Sequence, residues 1–328
     1  PLVLVRKEGT VTGDFAVNAV RKTVEFDGES SVDPRELARM IGIFTNGVLD
    51  PWRFDGTVKL AAKGVAGYGS YSNFDFEVAF DGRGVGLGRL DAQDYRGSMR
   101  MTGTTGTVSD ARGRVYGGDF IGSAVLVVPP WNSTNETAYS LDVKVKDADF
   151  EKIMKSLTQE KRDYAGQVSG RVSLQGWLGT GAGARARGEG AVKVREGRVY
   201  LMPVFGGLSS AMTKIVPGLD FVLRQSDASA EFVVADGKIR SDKVLVEGDV
   251  LSLTGHGDYH LDGRLDFNAQ VKLMKEHTLV AKLIGILTYP ISKLFEFRLR
   301  GTISDPRWYP VNFSRDLLEK MGLEKEKE

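Results

Sequence analysis

Only three histidines occur in the chain, and two of them, His256 and His260, flank Asp258 at alternate positions. If this stretch is a strand, whose side chains alternate between faces with a period of two, all three groups share one face. Two imidazoles and a carboxylate so placed could hold a metal ion or shuttle a proton. Ser252 and Thr254 fall on the same face. It therefore also reads as the wet side of an amphipathic strand, where two histidines without a matched third ligand select no metal. His277 stands alone near a helix start.

Other chemistry-bearing motifs are sparse. Gly82, Gly84, Gly86 and Gly88 recur at every second residue, which is neither the G-x-G-x-x-G of a dinucleotide site nor a P-loop. That spacing describes a strand with small residues on one face, where another backbone or a ligand comes close. The run 180–190, with Arg185 and Arg187, reads as a flexible loop entering a strand, its guanidinium groups solvated. There is no G-x-S-x-G elbow, and nothing selects a catalytic pair among the 43 carboxylates, so a carboxylate-based hydrolase has only the acid count behind it. Asn132 and Asn135 match the glycosylation triplet, which matters only in a eukaryotic secretory setting. Cysteine is absent, which excludes a disulfide framework, a thiol nucleophile and Cys-ligated zinc. The expectation is a non-enzymatic protein with no metal and no cofactor.

The elements that carry these residues are mostly strands. The clearest stretch is 221–273. Leu251, Leu253, Tyr259 and Leu261 share one parity, and Leu265, Phe267, Ala269, Val271 and Leu273 alternate with Asp266, Asn268, Gln270 and Lys272. Asp236-Gly237, Glu247-Gly248-Asp249 and Asp262-Gly263 supply turn chemistry between the runs. This is an antiparallel meander with one apolar side. The 40 glycines lie inside such alternating runs rather than in linker-like blocks, which favours many short strands. Basic and acidic side chains number 44 and 43, so net charge implies no attraction to nucleic acid or anionic lipid.

Earlier in the chain, Asp33-Pro34 opens a helix over 34–44, with Asp33 as N-cap and Leu37, Ile41 and Phe44 forming its apolar stripe. Phe74, Phe76, Val78 and Phe80 form an alternating strand closed by Asp81-Gly82, and the residues from Val115 to Phe120 continue as strand. The polar segment 131–137 is the best boundary. Leu141, Val143 and Val145 then alternate with charged neighbours, and a helix over 147–159 starts near Asp147 or Asp149. Further apolar helices are expected over 203–216, stopped by Pro217-Gly218, and over 277–289, broken by Pro290. The order of strand, acidic N-cap, short helix and strands occurs at 23–80 and again at 139–199, a pattern of an internal β-rich repeat. The chain begins at Pro1, with no initiator Met, no basic n-region and no apolar stretch of spanning length. A chain trimmed of an N-terminal anchor or signal would begin this way.

Periodicity leaves two roles for the apolar side. It can be the core of a closed β-sandwich, two faces packed about 10 Å apart, and this is the commoner use of alternating strands. It can instead line a curved sheet that holds acyl chains.

The order of motifs in the C-terminal half resembles the AsmA-like family of bacterial envelope proteins. The resemblance is carried by Lys146-Asp147-Ala148-Asp149-Phe150, by G-x-V-S-G-x-V-x-L-x-G over 166–176 and by G-E-G-x-V-x-V-x-x-G-x-V-Y-L-M-P-V-F over 188–205. It continues through A-E-F-V-V-A-D-G-K-I over 230–239, L-x-L-x-G-x-G-x-Y-x-L-D-G-x-L-D over 251–266 and G-T-I-S-D-P-R-W over 301–308. V-Y-G-G-D-F-x-G over 115–122 is similar to a recurrent upstream stretch of that family. The match covers 139–313 well and 50–128 loosely.

What the resemblance implies is a mainly β protein with a few short amphipathic helices, its elongated, curved antiparallel sheet forming a taco-like groove; the alternative is the closed sandwich. It divides the chain into a β-rich segment 1–138, a groove region 139–313 and a charged helical tail 314–328. It implies a periplasmic protein tethered to the inner membrane through an upstream anchor, a phospholipid or other acyl lipid as ligand, and possible envelope protein partners. The implied role is phospholipid transport between the inner and outer membranes and outer-membrane integrity. Assembly of outer-membrane proteins by strand augmentation is the alternative. The family has no established catalytic residues, so none is assigned. The groove-lining candidates are Val194, Phe232, Leu251, Leu253, Tyr259, Leu261, Leu265, Phe267 and Val271; Phe205, Leu208, Met212, Leu283 and Leu287 are candidates for helices covering its ends. Such a groove needs no directed hydrogen bonds, since each buried methylene contributes about 0.8 kcal/mol.

Overall fold

The computed structural model describes residues 2–41, 49–68, 70–130, 136–158, 162–179, 181–215, 219, 221–222, 224–274, 294–311, 313 and 318. Two compact units emerge from the contacts, one made of 1–148 with 171–182 and the other of 149–170 with 183–328. In order, the elements are β1 (Leu2–Arg6), β2 (Gly9–Asn18), β3 (Thr23–Ser30), α1 (Pro34–Ile41), β4 (Trp52–Phe54), β5 (Val58–Gly67), β6 (Asp75–Leu87), β7 (Leu90–Thr102), β8 (Thr105–Val115), β9 (Gly118–Val127) and β10 (Ala138–Asp149). There follow α2 (Phe150–Thr158), β11 (Gln167–Trp177), α3 (Ala182–Arg185), β12 (Arg187–Gly197), α4 (Gly206–Ile215), β13 (Ser226–Ala235), β14 (Lys238–Gly248), β15 (Leu251–His260), β16 (Leu265–Leu273), β17 (Leu294–Gly301) and β18 (Pro306–Pro310). The described chain is mainly strand, and in each unit the sheet is open and antiparallel, with no second sheet stacked on it. A closed sandwich is not what forms.

In the first unit β1, β2, β3, β5 and then β6 through β10 pair in succession, while β4 adds to the end of β6. Two-residue turns at positive φ make the tight hairpins. Tyr116 and Gly117, at φ 50° and 84°, form one of them, so the run from Val115 to Phe120 is a hairpin rather than a single strand. Asp81-Gly82 does not close its strand as the turn chemistry suggested. β6 runs straight through it to Leu87, because Gly82 serves a cross-strand contact instead. Helix α1 starts where Asp33 predicts: its carboxylate accepts the Arg35 backbone N–H at 2.8 Å, capping an orphan donor of the first turn.

In the second unit β12 through β18 pair in sequence order. Asp236 and Gly237, at φ 51° and 73°, make the expected β13–β14 hairpin. Asp149 caps α2 by accepting the Lys152 N–H at 3.1 Å. The expected helix over 203–216 is preceded by 3-10 turns at Val199–Leu201 and Pro203–Phe205, and α4 itself begins at Gly206. Residues 180–190 include the single helical turn α3 rather than loop alone. The expected helix over 277–289 lies outside the described residues, as does the tail except Leu318.

Candidate functional site

The registers of the first unit put one parity of every strand on a common face. Phe76, Val78 and Phe80 in β6 stand opposite Gly64, Ala62 and Leu60 in β5, and opposite Met101, Met99 and Gly97 in β7. Outward on one side, Phe26 and Phe15 continue the face through β3 and β2. On the other side it passes through Val108 in β8 to Ala124 in β9 and Leu141 in β10. A register shift between Val108 and Ala111 restores the parity beyond it, so Gly113, Phe120 and Val145 remain on the same side. Charge reaches this face at the far end of β6, where Arg53 and Asp91 pair beside Gly86. At about 4.8 Å per strand the apolar surface is roughly 38 Å long across the sheet. The opposite face carries the charges, including the exposed pairs Lys63–Asp27 at 3.0 Å, Arg114–Asp94 at 2.6 Å and Arg100–Asp75 at 2.5 Å. Such pairs keep a face wet and contribute little stability.

Burial differs between the two faces. In β10 Leu141, Val143 and Val145 are half-buried, while Ser140, Asp142, Lys144 and Lys146 are exposed. Leu60, Ala62, Val78, Phe80, Val108 and Phe120 repeat the half-buried state. A sheet bent toward its apolar side shields these residues with their neighbours and still leaves them reachable. Full burial on this face gathers at one end, where Tyr71, Phe74, Phe76, Met101 and Val128 form a cluster, with Tyr71 and Phe74 edge-to-face at 5.0 Å. Near the other end lies the start of α1, where Asp33 accepts two hydrogen bonds from the Arg35 guanidinium at 3.1 and 2.7 Å, and Arg35 sits over the Phe54 ring at 5.8 Å. Burial opposes the charge of Asp33, but these donors outweigh it and hold the carboxyl below its usual range.

Glycines inside the strands set the depth of this trough. A Cβ on Gly97 would stand 2.7 Å from Cζ of Phe80, and one on Gly82 would stand 2.5 Å from Cζ of Tyr95. Each aromatic ring lies across the glycine of its neighbouring strand, which keeps the floor low. The reading of Gly82, Gly84, Gly86 and Gly88 as strand residues approached closely by other groups holds for the first three, with the Arg53 guanidinium in the corresponding space at Gly86; Gly88 lies beyond the end of β6, at φ 59°, with nothing within 4 Å of its Cβ position.

A groove of about 730 Å³ crosses β2, β3, β5, β6, β7 and β8, with Leu60, Phe80 and Gly97 among its lining residues. Its walls include Lys59, Asp81, Arg96 and Arg112, which the registers set opposite one another in turn on the wet face. Their mixed signs select no ligand class.

On the histidine face, Asp258 is engaged by basic side chains of the neighbouring strand. Asp258 accepts Lys238 Nζ at 2.9 Å and the Arg240 guanidinium at 2.8 and 3.0 Å. Among the described residues no cluster of metal-ligating side chains forms. The Arg240 hydrogen bonds, with Lys238 behind them, pull the Asp258 carboxyl from 3.8 down to about 2. A carboxylate depressed in the folded state stabilises it above the unfolded-state value, and that contribution fades as pH falls toward the folded one. Asp258→Asn is expected to lower the melting temperature at pH 7 by about 2–4 °C. The gap to wild type should narrow by pH 3, as followed by circular dichroism; a constant gap would show that the ion pairs contribute nothing.

The sequence candidates divide by what covers them. Val194, Leu251, Leu253, Leu265 and Val271 lie on one face of the second unit's sheet, as their parity required, and all are buried in a large cluster with Phe205, Leu208 and Met212. Trp308 ties the covering segment down by donating from Nε1 to the Val204 carbonyl at 2.7 Å, and its ring stacks on Phe205. Phe232, Tyr259 and Phe267 share the sheet face but are only half-buried. Leu261 falls beyond the end of β15 and is exposed. Leu283 and Leu287 lie outside the described residues. The half-buried surface of the first unit was not among the sequence candidates, although its alternating runs at Phe74–Phe80 and Leu141–Val145 were visible. Only the strand registers show that those runs form one surface.

Among the described residues no helix is long and apolar enough to cross a membrane. No protein-family model, curated protein or solved structure matches the chain.

Proposed function

We propose that this protein binds the acyl chains of a phospholipid or similar lipid on the apolar face of its first unit. In this reading it is an AsmA-like protein of the bacterial periplasm, held at the inner membrane in its full-length form, and contributes to lipid movement between membranes and to outer-membrane integrity. One observation supports the reading above the others: an apolar face that runs across eight paired strands, β2 to β10 without β4, and is half-buried rather than packed into a core. Alkyl chains suit such a surface, because it offers area without fixed hydrogen-bond partners. Solvent extraction of the purified protein followed by mass spectrometry is expected to recover phospholipid in stoichiometric amounts. Protein that is lipid-free after expression, and stays so after incubation with phospholipid vesicles, would refute the reading.

A second reading is favoured by a different feature. Strand β1 exposes Leu2 and Val5 at 62% and 72% and pairs with β2. An exposed apolar strand without proline invites another strand. Photo-crosslinkers placed in β1 would capture outer-membrane barrel proteins if assembly by strand augmentation is the role, whereas crosslinkers at Leu141 or Val78 would capture lipid under the first reading.

A further inference from the structure

Tyr95 carries the one buried polar atom of the trough face that has no hydrogen-bond partner among the described residues. Its ring lies across Gly82, whose Cβ position would be 2.5 Å from both Cζ and Oη. The hydroxyl is thereby shut off from solvent, although a buried tyrosine hydroxyl ordinarily finds an acceptor. Both residues directly opposite Tyr95, Gly82 in β6 and Gly113 in β8, lack a Cβ. Burial, and then the carboxylates of Asp33 and Asp81, push the phenol up to about 12, so it remains a neutral donor. Asp33 is itself paired with Arg35, and Asp81 stands on the wet face opposite Lys59 and Arg96.

We propose that Tyr95 is the polar anchor of the trough: its ring swings off Gly82 and donates a hydrogen bond to the ester or amide carbonyl of an acyl chain lying on the apolar face. This rests on the trough taking acyl chains. The neighbouring carboxylates disfavour an anionic oxygen at this point, which makes a neutral carbonyl the matching acceptor. In the resting position the unpaired hydroxyl disfavours burial, and a ligand carbonyl away from water gains a donor that the hydrocarbon-like surface around it does not supply.

The test uses delipidated full chain and three sixteen-carbon probes: methyl palmitate, palmitate and hexadecane. Retained probe is measured by mass spectrometry after gel filtration. Wild type should hold methyl palmitate better than hexadecane, and Tyr95→Phe should lower methyl palmitate retention about five-fold without changing hexadecane. Gly82→Ala should raise methyl palmitate retention, because the added methyl forces the far end of the Tyr95 ring off β6; the Thr57 backbone carbonyl, 2.9 Å from that position and bonded to the Arg83 N–H, must give as well, so the variant's fold is checked by circular dichroism. Tyr95→Phe should leave the melting temperature of lipid-free protein unchanged or higher. Retention of the ester preference in Tyr95→Phe overturns the proposal, as does a lower melting temperature with that preference intact, which would reveal a structural partner for the hydroxyl. Dependence of palmitate rather than the ester on Tyr95 overturns the choice of a neutral acceptor. Hexadecane bound equally by all variants with no ester preference sinks only the anchor, whereas wild type that binds none of the probes sinks the trough reading with it.

Discussion

Leu141→Asp is expected to cut the lipid recovered per molecule at least ten-fold while leaving the far-UV circular dichroism of the protein unchanged. Leu141 is half-buried on the apolar face, opposite Ala124, and its neighbour Ser140 points to the wet side. An ionised carboxylate at that position stays hydrated and strips the adjacent chain of roughly three or four methylene contacts, each worth about 0.8 kcal/mol. That loss corresponds to a factor of about 100 before any rearrangement of the ligand. The protein tolerates the change because the empty face is reachable by water. Ser140→Asp, one residue away, should leave lipid content as it is. Equal lipid in both variants would place the ligand elsewhere, and unfolding of Leu141→Asp would mean that this face is packed against something.

Local pattern was sufficient for much of this fold. The alternation of Leu251, Leu253 and Tyr259 with Ser252, Thr254 and Asp258 put each residue on the face where the β14–β15 and β15–β16 registers place it. Asp33 and Asp236-Gly237 were legible for the same reason, since their chemistry is satisfied within a few residues. Asp81-Gly82 was misread because its glycine answers to Tyr95, thirteen positions further on, and no local rule reports that contact. Residues 115–120 were misread in the opposite sense: apolar and aromatic side chains disguised a Tyr-Gly turn.

The candidate site was less legible than the fold. Parity assigns Leu141 and Leu251 the same description, an apolar position in an amphipathic strand. What separates them is whether another part of the chain lies over them, and that depends on contacts distant in sequence. Trp308 reaches Val204 across 104 residues. Likewise Tyr200 Oη donates to the Leu251 carbonyl at 3.3 Å from 51 residues away, in surroundings whose burial pushes its phenol strongly up.

The same substitution that Leu141 tolerates is therefore expected to unfold the second unit at Leu251. Leu251 is fully buried, beside Leu253, Val271 and Leu273 in a cluster roofed by Leu208 and Met212. A carboxylate there is cut off from water among apolar side chains, and an unpaired buried charge costs several kcal/mol. Leu251→Asp should abolish the cooperative thermal transition of this unit and shift Trp308 fluorescence to the red, whereas Leu208→Ala, which leaves only a cavity, should cost about 3 kcal/mol and keep the unit folded. A Leu251→Asp protein that melts like wild type would mean that the segment over 199–215 lifts away at little cost, exposing the sheet beneath it. The acyl-binding surface would then extend to the face that Leu251, Leu253 and Val271 share, and both units would offer one to lipid.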